Sequence, residues 1–321
     1  MIVFVFSRET AAAMYRCMNP ATVLKKSGFN ALCISDVSVS TLLSADILIF
    51  YARYEEYLPE IIRTALQLGK KVYYSIDDPV WDLPWGWLYE ELSKKAELKG
   101  TLYSIEFREF RLQVLSLLHE IASYGVEFIV STEELAREVE RQFDTKAHVL
   151  HNFCLYKEQQ KKEGKSCFYP TSSEHLLYDS MPLKKIKAPV IVVGGKEAEF
   201  NAAFAGCSNF IYFPTMSTIR YYHFVEGIDA KVGLAPLNPS LTINRCKSCV
   251  KLLEFAKFGM TAVASPVGEY AKAPVVFAEW NDDWDAKVRK AMEKDPEELR
   301  KWAEQWNYNA IQEWLKFFAN A

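Results

Sequence analysis

No stretch of about 18 consecutive apolar residues occurs in the chain, so nothing in it reads as a membrane-spanning helix. Its start, Met1 followed by IVFVF, lacks the basic lead and small-residue cleavage site of a secretory signal, which makes a cytoplasmic location the default expectation. Neither charge sign is in excess. With 38 Lys and Arg against 41 Asp and Glu the net charge is −3, so no global field draws the chain to polyanions and nucleic acid is not an expected partner. The seven cysteines are odd in number and scattered, in a chain too large to need disulfide staples. Cys246 and Cys249 form the one close pair, with no second Cys or His pair nearby, and no metal site is expected there. Dinucleotide and P-loop fingerprints are absent as well: Gly194-Gly195-Lys196 follows an apolar strand but lacks their spacing. No internal repeat appears beyond two similar halves.

What is present is a globular composition, half hydrophobic and a quarter charged, in a chain of 321 residues that suits two domains of about 150 to 170 residues each. Both halves alternate short apolar runs with helical patterns. In the first, Ile2 to Phe6, Ala31 to Ile34, Asp46 to Tyr51, Lys71 to Ile76 and Glu127 to Val130 read as strands. Ala11 to Lys26 reads as a helix interrupted at Asn19-Pro20, and Tyr57 to Leu68 and Leu102 to Tyr124 as helices. The second array begins near Val190 and ends in a long aromatic helix, Glu297 to Ala319. Such alternation predicts parallel sheets covered on both faces, with ligands at the carboxyl ends of the strands. Residues 155–187, with seven lysines among Glu and Gln, read as a linker and solvated surface loop.

One stretch carries most of the functional signal. Val232 to Tyr270 holds a strand, a polar loop with Asn244 and Arg245, a helix expected from Lys247 to Phe258, a Gly stop and a second strand. A helix start is a natural anion site, because its first amides lack intrahelical partners and the dipole is positive there. Lys247, Lys251 and Glu254 share one face of that helix. Elsewhere Asp77-Asp78-Pro79 ends a strand, and the Trp81 to Trp87 stretch after it reads as packing, a sugar-stacking platform or a lipid-facing rim. His151, alone beside an apolar strand, reads as structural.

The wording GLAPL, then N-x-x-K-S-x-x-K-L-L-E-F-A-x-x-G, then VASPVGEY, resembles the donor-nucleotide segment of glycosyltransferase family 4. IVSTEELA and VLHNF similarly resemble the end of that family's N-terminal domain. The resemblance implies a GT-B fold: two Rossmann-like domains whose parallel sheets face each other across a cleft, with the C-terminal helix crossing back to the first domain. It implies an N-terminal acceptor domain over 1–154, a linker over 155–187, a donor domain over 188–300 and a terminal helix over 301–321. It also implies transfer of a sugar from a nucleotide-diphosphate sugar, with retention and without a metal or other cofactor. The acceptor is open among a saccharide, a lipid-linked saccharide and a protein, and peripheral membrane contact is left open. The residues it points to are Asn244, Lys247, Ser248, Lys251 and Glu254 for the donor, Glu254 on the ribose, with Lys247, Glu254 and Asp78 as the catalytic candidates; Gly194 and Gly195 join the donor set because a Gly-Gly turn after a strand lets backbone approach a ligand closely. Two positions depart from the family pattern: Cys246 stands where a Glu lies near the donor sugar, and Cys154 where an Asp is common. A non-catalytic GT-B-like module that binds a sugar nucleotide or a partner is the alternative.

Overall fold

The computed structural model of the chain describes residues 1–7, 10–82 and 103–321. Trp85 and Trp87 lie outside the described residues. The first sheet contains β1 (Ile2–Phe6), β2 (Ala31–Ile34), β3 (Ile47–Tyr51), β4 (Lys71–Ser75), β5 (Glu127–Val130) and β6 (Ala147–Val149). All pair in parallel, in the order β2-β1-β3-β4-β5-β6. The second contains β7 (Ser166–Pro170), β8 (Val190–Val193), β9 (Phe210–Phe213), β10 (Ala230–Ala235), β11 (Thr261–Ala264) and β12 (Val276–Phe277), also parallel, in the order β12-β11-β10-β7-β8-β9. Runs such as IVFVF and TAVA are buried at every position because helices cover both faces of each sheet.

The strand orders locate two switch points. In the first sheet the order reverses between β1 and β3, as in flavodoxin-like sheets; in the second it reverses between β7 and β10, as in Rossmann sheets. Loops leaving β1 and β7 therefore open into crevices at the carboxyl ends of the strands.

Three sequence expectations are corrected. Residues 155–187 are not all linker, and the second domain does not begin at 188: Ser166–Pro170 is the strand β7, hydrogen-bonded on both sides between β10 and β8. Its apolar core of Cys167, Phe168 and Tyr169 is fully buried but too short to show a period among charged neighbours. The helix expected from Lys247 to Phe258 is instead a short helix, Thr242–Arg245, a turn, and a helix over Val250–Lys257. Glu269 Oε2 accepts from the Cys249 amide at 3.1 Å, capping the later start and leaving Lys247 and Ser248 in the turn. The interruption at Pro20 is not a break: the chain stays helical from Ala11 through Lys26, with a π-helical turn over Met14–Met18 that turns Tyr15, Arg16 and Cys17 into the interior.

The Glu297–Ala319 helix has the bounds read from the sequence and crosses back to the first domain. Leu299 and Ala303 pack in the second-domain core, whereas Ala310, Trp314 and Phe318 pack around Phe4 in the first. The chain between the domains is pinned to it by bonds that include Trp314 Nε1 to the His151 carbonyl (3.0 Å), Trp306 Nε1 to the Asn152 carbonyl (3.1 Å), and the Cys154 amide to Asn307 Oδ1 (2.8 Å). No helix among the described residues is long and apolar enough to cross a membrane.

His151 has the structural role read from the sequence. Its Nδ1 lies 2.8 Å from Glu313 on the terminal helix and its Nε2 3.2 Å from Glu269. Burial opposes the charged ring, but the two carboxylates outweigh it and raise the pKa to about 9. Because the folded pKa exceeds the unfolded one, the stabilisation is complete below about pH 6.5 and is lost as pH rises through about 9. His151→Gln should therefore lower stability by about 1.5 to 3 kcal/mol near pH 6, with the deficit shrinking above pH 9. Urea melts of both proteins across that range test it, and a deficit that does not change with pH would rule out the charged pairing.

Candidate functional site

Between the facing sheet edges lies a cavity of about 640 Å³, lined from both domains. The start of the helix after β1 contributes Thr10, Ala11, Ala12 and Tyr15, the loop after β4 Asp77 and Asp78, and the segment after β6 Asn152 and Tyr156. From the second domain come Pro170, Thr171, Ser172 and His175 after β7, Gly194 and Gly195 after β8, Ser217, Thr218 and Tyr221 after β9, then Lys247, Ser248, Lys251 and Glu254. Every wall is thus built at the carboxyl end of a parallel strand, and both switch points open into it.

The expected residues fare differently. Gly194 and Gly195 line the cavity; Gly194 has φ +109°, and a Cβ there would sit 1.9 Å from the Thr171 carbonyl, so only glycine fits. Lys247 lines it too but precedes the helix, and its Nζ is 2.7 Å from Asp78 Oδ1 across the cleft. Ser248 Oγ accepts from Asn152 Nδ2 at 2.9 Å. Lys251 lies over the Tyr169 ring at 5.6 Å, and burial pushes its pKa down to about 8, with Asp179 opposing and Lys247 adding to the shift. Glu254 is buried, which raises its pKa to about 7 against hydrogen bonds from Tyr15 and from Tyr221 (3.2 Å).

Asn244 does not line the cavity. It is fully buried, and its Nδ2 donates to Asp179 Oδ1 (2.7 Å) and to the Asn238 carbonyl (3.0 Å), so its role is to hold a loop. The first-turn amides are also fewer than expected, since Glu269 occupies that of Cys249. Asp77 and Asp78 both reach the cavity, because β4 ends at Ser75 and the pair sits in the following loop. Asp77 Oδ1 accepts from Tyr51 at 2.8 Å. Trp81 is a core residue, edge-on to Phe143 with ring centres 4.8 Å apart. Cys246 is turned out of the cavity: its side chain packs in the first-domain core and its carbonyl accepts from Thr132 Oγ1 at 3.0 Å. Cys154, the other departure, is buried in the second-domain core. Among the described residues no three His, Cys, Asp or Glu side chains group closely enough to hold a metal ion.

Sequence reasoning missed Tyr15, Asn152, His175 and Tyr221. Two of these have a signal in retrospect: TSSEH follows the short apolar run of β7, and Tyr15 lies one turn before a helical Pro.

No protein-family model matches the chain, and no curated protein matches it in sequence. Its structure is similar to solved ones over nearly the whole chain. A T4 phage BGT mutant in complex with UDP-glucose superimposes with a TM-score of 0.58 at 11% identity, covering 99% of this chain and 98% of that one. A glycosyltransferase involved in avilamycin A biosynthesis gives 0.59 at 10% identity, covering 100% and 99%. The N-terminal domain of Candida albicans trehalose-6-phosphate phosphatase gives 0.51 at 8%, covering 99% and 95%. The architecture is GT-B.

The Glu254 cluster yields a prediction. A carboxyl whose folded pKa lies above its unfolded value of about 4.5 makes stability fall as pH rises from there to about 7. Tyr15→Phe removes a donor that holds the carboxylate form in place, so the fall should extend above pH 7. Thermal melts of wild type and variant from pH 5 to 8 should diverge at the upper end; parallel curves would show that the Tyr15 bond does not act on the ionised form.

Proposed function

We propose that this chain is a glycosyltransferase that moves a sugar from a nucleotide-diphosphate donor to an acceptor bound on the N-terminal side of the cleft. The observation that carries the reading is the second-domain wall of the cavity, where Gly194, Gly195, Lys247, Lys251 and Glu254 converge within a GT-B architecture. The glycine turn lets a phosphate approach backbone closely, and the two lysines supply charge. In the transfer step the bond from the sugar's anomeric carbon to the β-phosphate oxygen breaks and its electron pair stays on that oxygen. Cations in a desolvated cleft stabilise the charge as it develops. Lys251, held in the low pKa range by burial, is assigned to the diphosphate, and Glu254 to the ribose. Asp78, on the opposite lip, is the acidic group on the acceptor side.

Retention of configuration and independence from metal belong to this proposal. A related T4 phage structure holds UDP with Mn2+, so chelation is part of the test. The acceptor is open, and nucleic acid belongs among the candidates because the T4 phage protein is described as a DNA modifying enzyme. The non-catalytic alternative is separated by donor hydrolysis: a chain that binds a nucleotide sugar yet neither hydrolyses nor transfers it is a binding module.

The two lysines should respond unequally. A charge-assisted hydrogen bond is worth about 1.5 to 3 kcal/mol and 1.4 kcal/mol is a factor of ten, so Lys251→Ala should weaken nucleoside diphosphate binding about tenfold to a hundredfold. Lys247 already faces Asp78, for which incoming phosphate must compete, so Lys247→Ala should cost less. Asp78→Asn removes the competitor and should tighten donor binding while slowing transfer. Glu254→Gln should weaken the nucleotide but leave inorganic pyrophosphate nearly unchanged. Calorimetric titration of the four variants with UDP and pyrophosphate reads the affinities, and turnover of the sugar nucleotide reads the slowed transfer; wild-type affinity in every variant would place the donor site elsewhere.

A further inference from the structure

The segment behind β7 holds a group that the reading above leaves unused. The short helix that leaves β7 sets His175 against the cavity, with Asp179 one turn further on. His175 Nδ1 is hydrogen-bonded to Asp179 Oδ2. Asp179 is fully buried, and its other oxygen accepts from the Asn238 amide at 2.8 Å and from Asn244 Nδ2 at 2.7 Å. Held by these donors, the carboxylate fixes the ring and keeps the proton on Nδ1. Nε2 is left as the lone-pair nitrogen and has no hydrogen-bond partner among the described residues.

The charged groups that face this ring are Asp179 from its own turn and Lys247 and Lys251 from the neighbouring wall. Burial and the two lysines lower the imidazole pKa against the pull of Asp179. A diphosphate next to the same lysines brings two negative charges that cancel theirs, removing their repulsion of a proton on the ring and leaving the pull of Asp179 and of the phosphate oxygens. We propose that His175, aimed by Asp179, takes up a proton from solvent when a nucleotide-diphosphate donor binds, and that its Nε2–H then donates to a phosphate oxygen. One N–H bond forms and nothing else changes covalently. The cleft thereby gains a third cation only when an anion is there to balance it. This inference rests on the reading of the cleft as a diphosphate site.

A pKa that is higher in the bound than in the free state means that affinity rises as pH falls through the bound-state value and levels off below the free-state value. The probe is UDP-glucose, whose phosphates are both esterified and do not themselves titrate near neutrality. At pH 6.5 Lys251, with a pKa of about 8, is already charged and Glu254, at about 7, largely protonated, so uptake there reports on the ring. Titration calorimetry in two buffers of different ionisation enthalpy should show wild type taking up as much as about one proton. His175→Gln should take up almost none and bind about tenfold more weakly, the equivalent of one pKa unit. Equal uptake and affinity in wild type and variant would overturn the proposal and leave the donor site standing. A wild-type chain that binds none of UDP-glucose, GDP-mannose and UDP would overturn both. Should His175→Gln fail to fold, the ring C–H resonance of His175 in wild type, titrated with and without UDP-glucose, decides: a pKa raised on binding supports the proposal, and one unchanged or lowered refutes it.

Discussion

Charge balance in a desolvated cleft is the constraint on which this molecule turns. Lys247, Lys251, Glu254, Asp78, Asp179 and His175 lie close together, and several are shielded from water almost completely. An ionised group in such surroundings costs several kcal/mol unless partners compensate it. Compensation is arranged across the two domains: Lys247 with Asp78, Glu254 with Tyr15, Ser248 with Asn152. Each of these joins a second-domain group to a first-domain one. The relative placement of the domains is therefore written into the polar groups of the cleft itself, and a ligand that enters must exchange partners rather than fill a vacant charge.

A second layer of structure makes that placement reproducible. Arg16, carried inward by the π-helical turn, is fully buried and donates to Ser75 Oγ, the Leu150 carbonyl and Asn152 Oδ1 while lying 5.2 Å over the Trp314 ring. A guanidinium suits the place because its fork of donors stays charged and meets several acceptors at once. Asn152 is thus held from behind by Arg16 and passes a hydrogen bond forward to Ser248. The terminal helix closes the arrangement from outside, with its tryptophan indoles on the carbonyls of His151 and Asn152. The geometry of the cleft and the packing of the domains share the same few residues.

Most strands of both sheets were legible in the sequence for a physical reason: buried on both faces, they read as unbroken apolar runs bounded by polar turns. β7 was not, because three buried residues between lysine-rich flanks carry no period, and with it went the boundary of the second domain and His175. The helix start was misplaced by three residues since its cap is a side chain, Glu269, some twenty residues away, which no local rule detects. Lys251 and Glu254 were picked out by helical spacing and a resemblance in wording, the two glycines by their place after a strand, and all four line the cavity. Asn244 matched the same wording and serves a different end, because a motif records that a residue is needed and not what it touches.

Cys246 shows how far such a match can be taken. Read from the sequence, a cysteine where the family pattern has a glutamate near the donor sugar argues for lost catalysis. In the structure the side chain at this position is fully buried in the core of the first domain, in the same cluster as Leu135, Ala136 and Val139. A carboxylate there would be buried without a partner, at a cost of several kcal/mol, and would not reach the cavity. The turn between Arg245 and Val250 has been built to dock on the other domain, with the Cys246 carbonyl bonded to Thr132. On the proposed reading, the groups that would meet a sugar lie among those that do line the cavity, Asp78 on one lip and Thr171, Ser172 and His175 on the other.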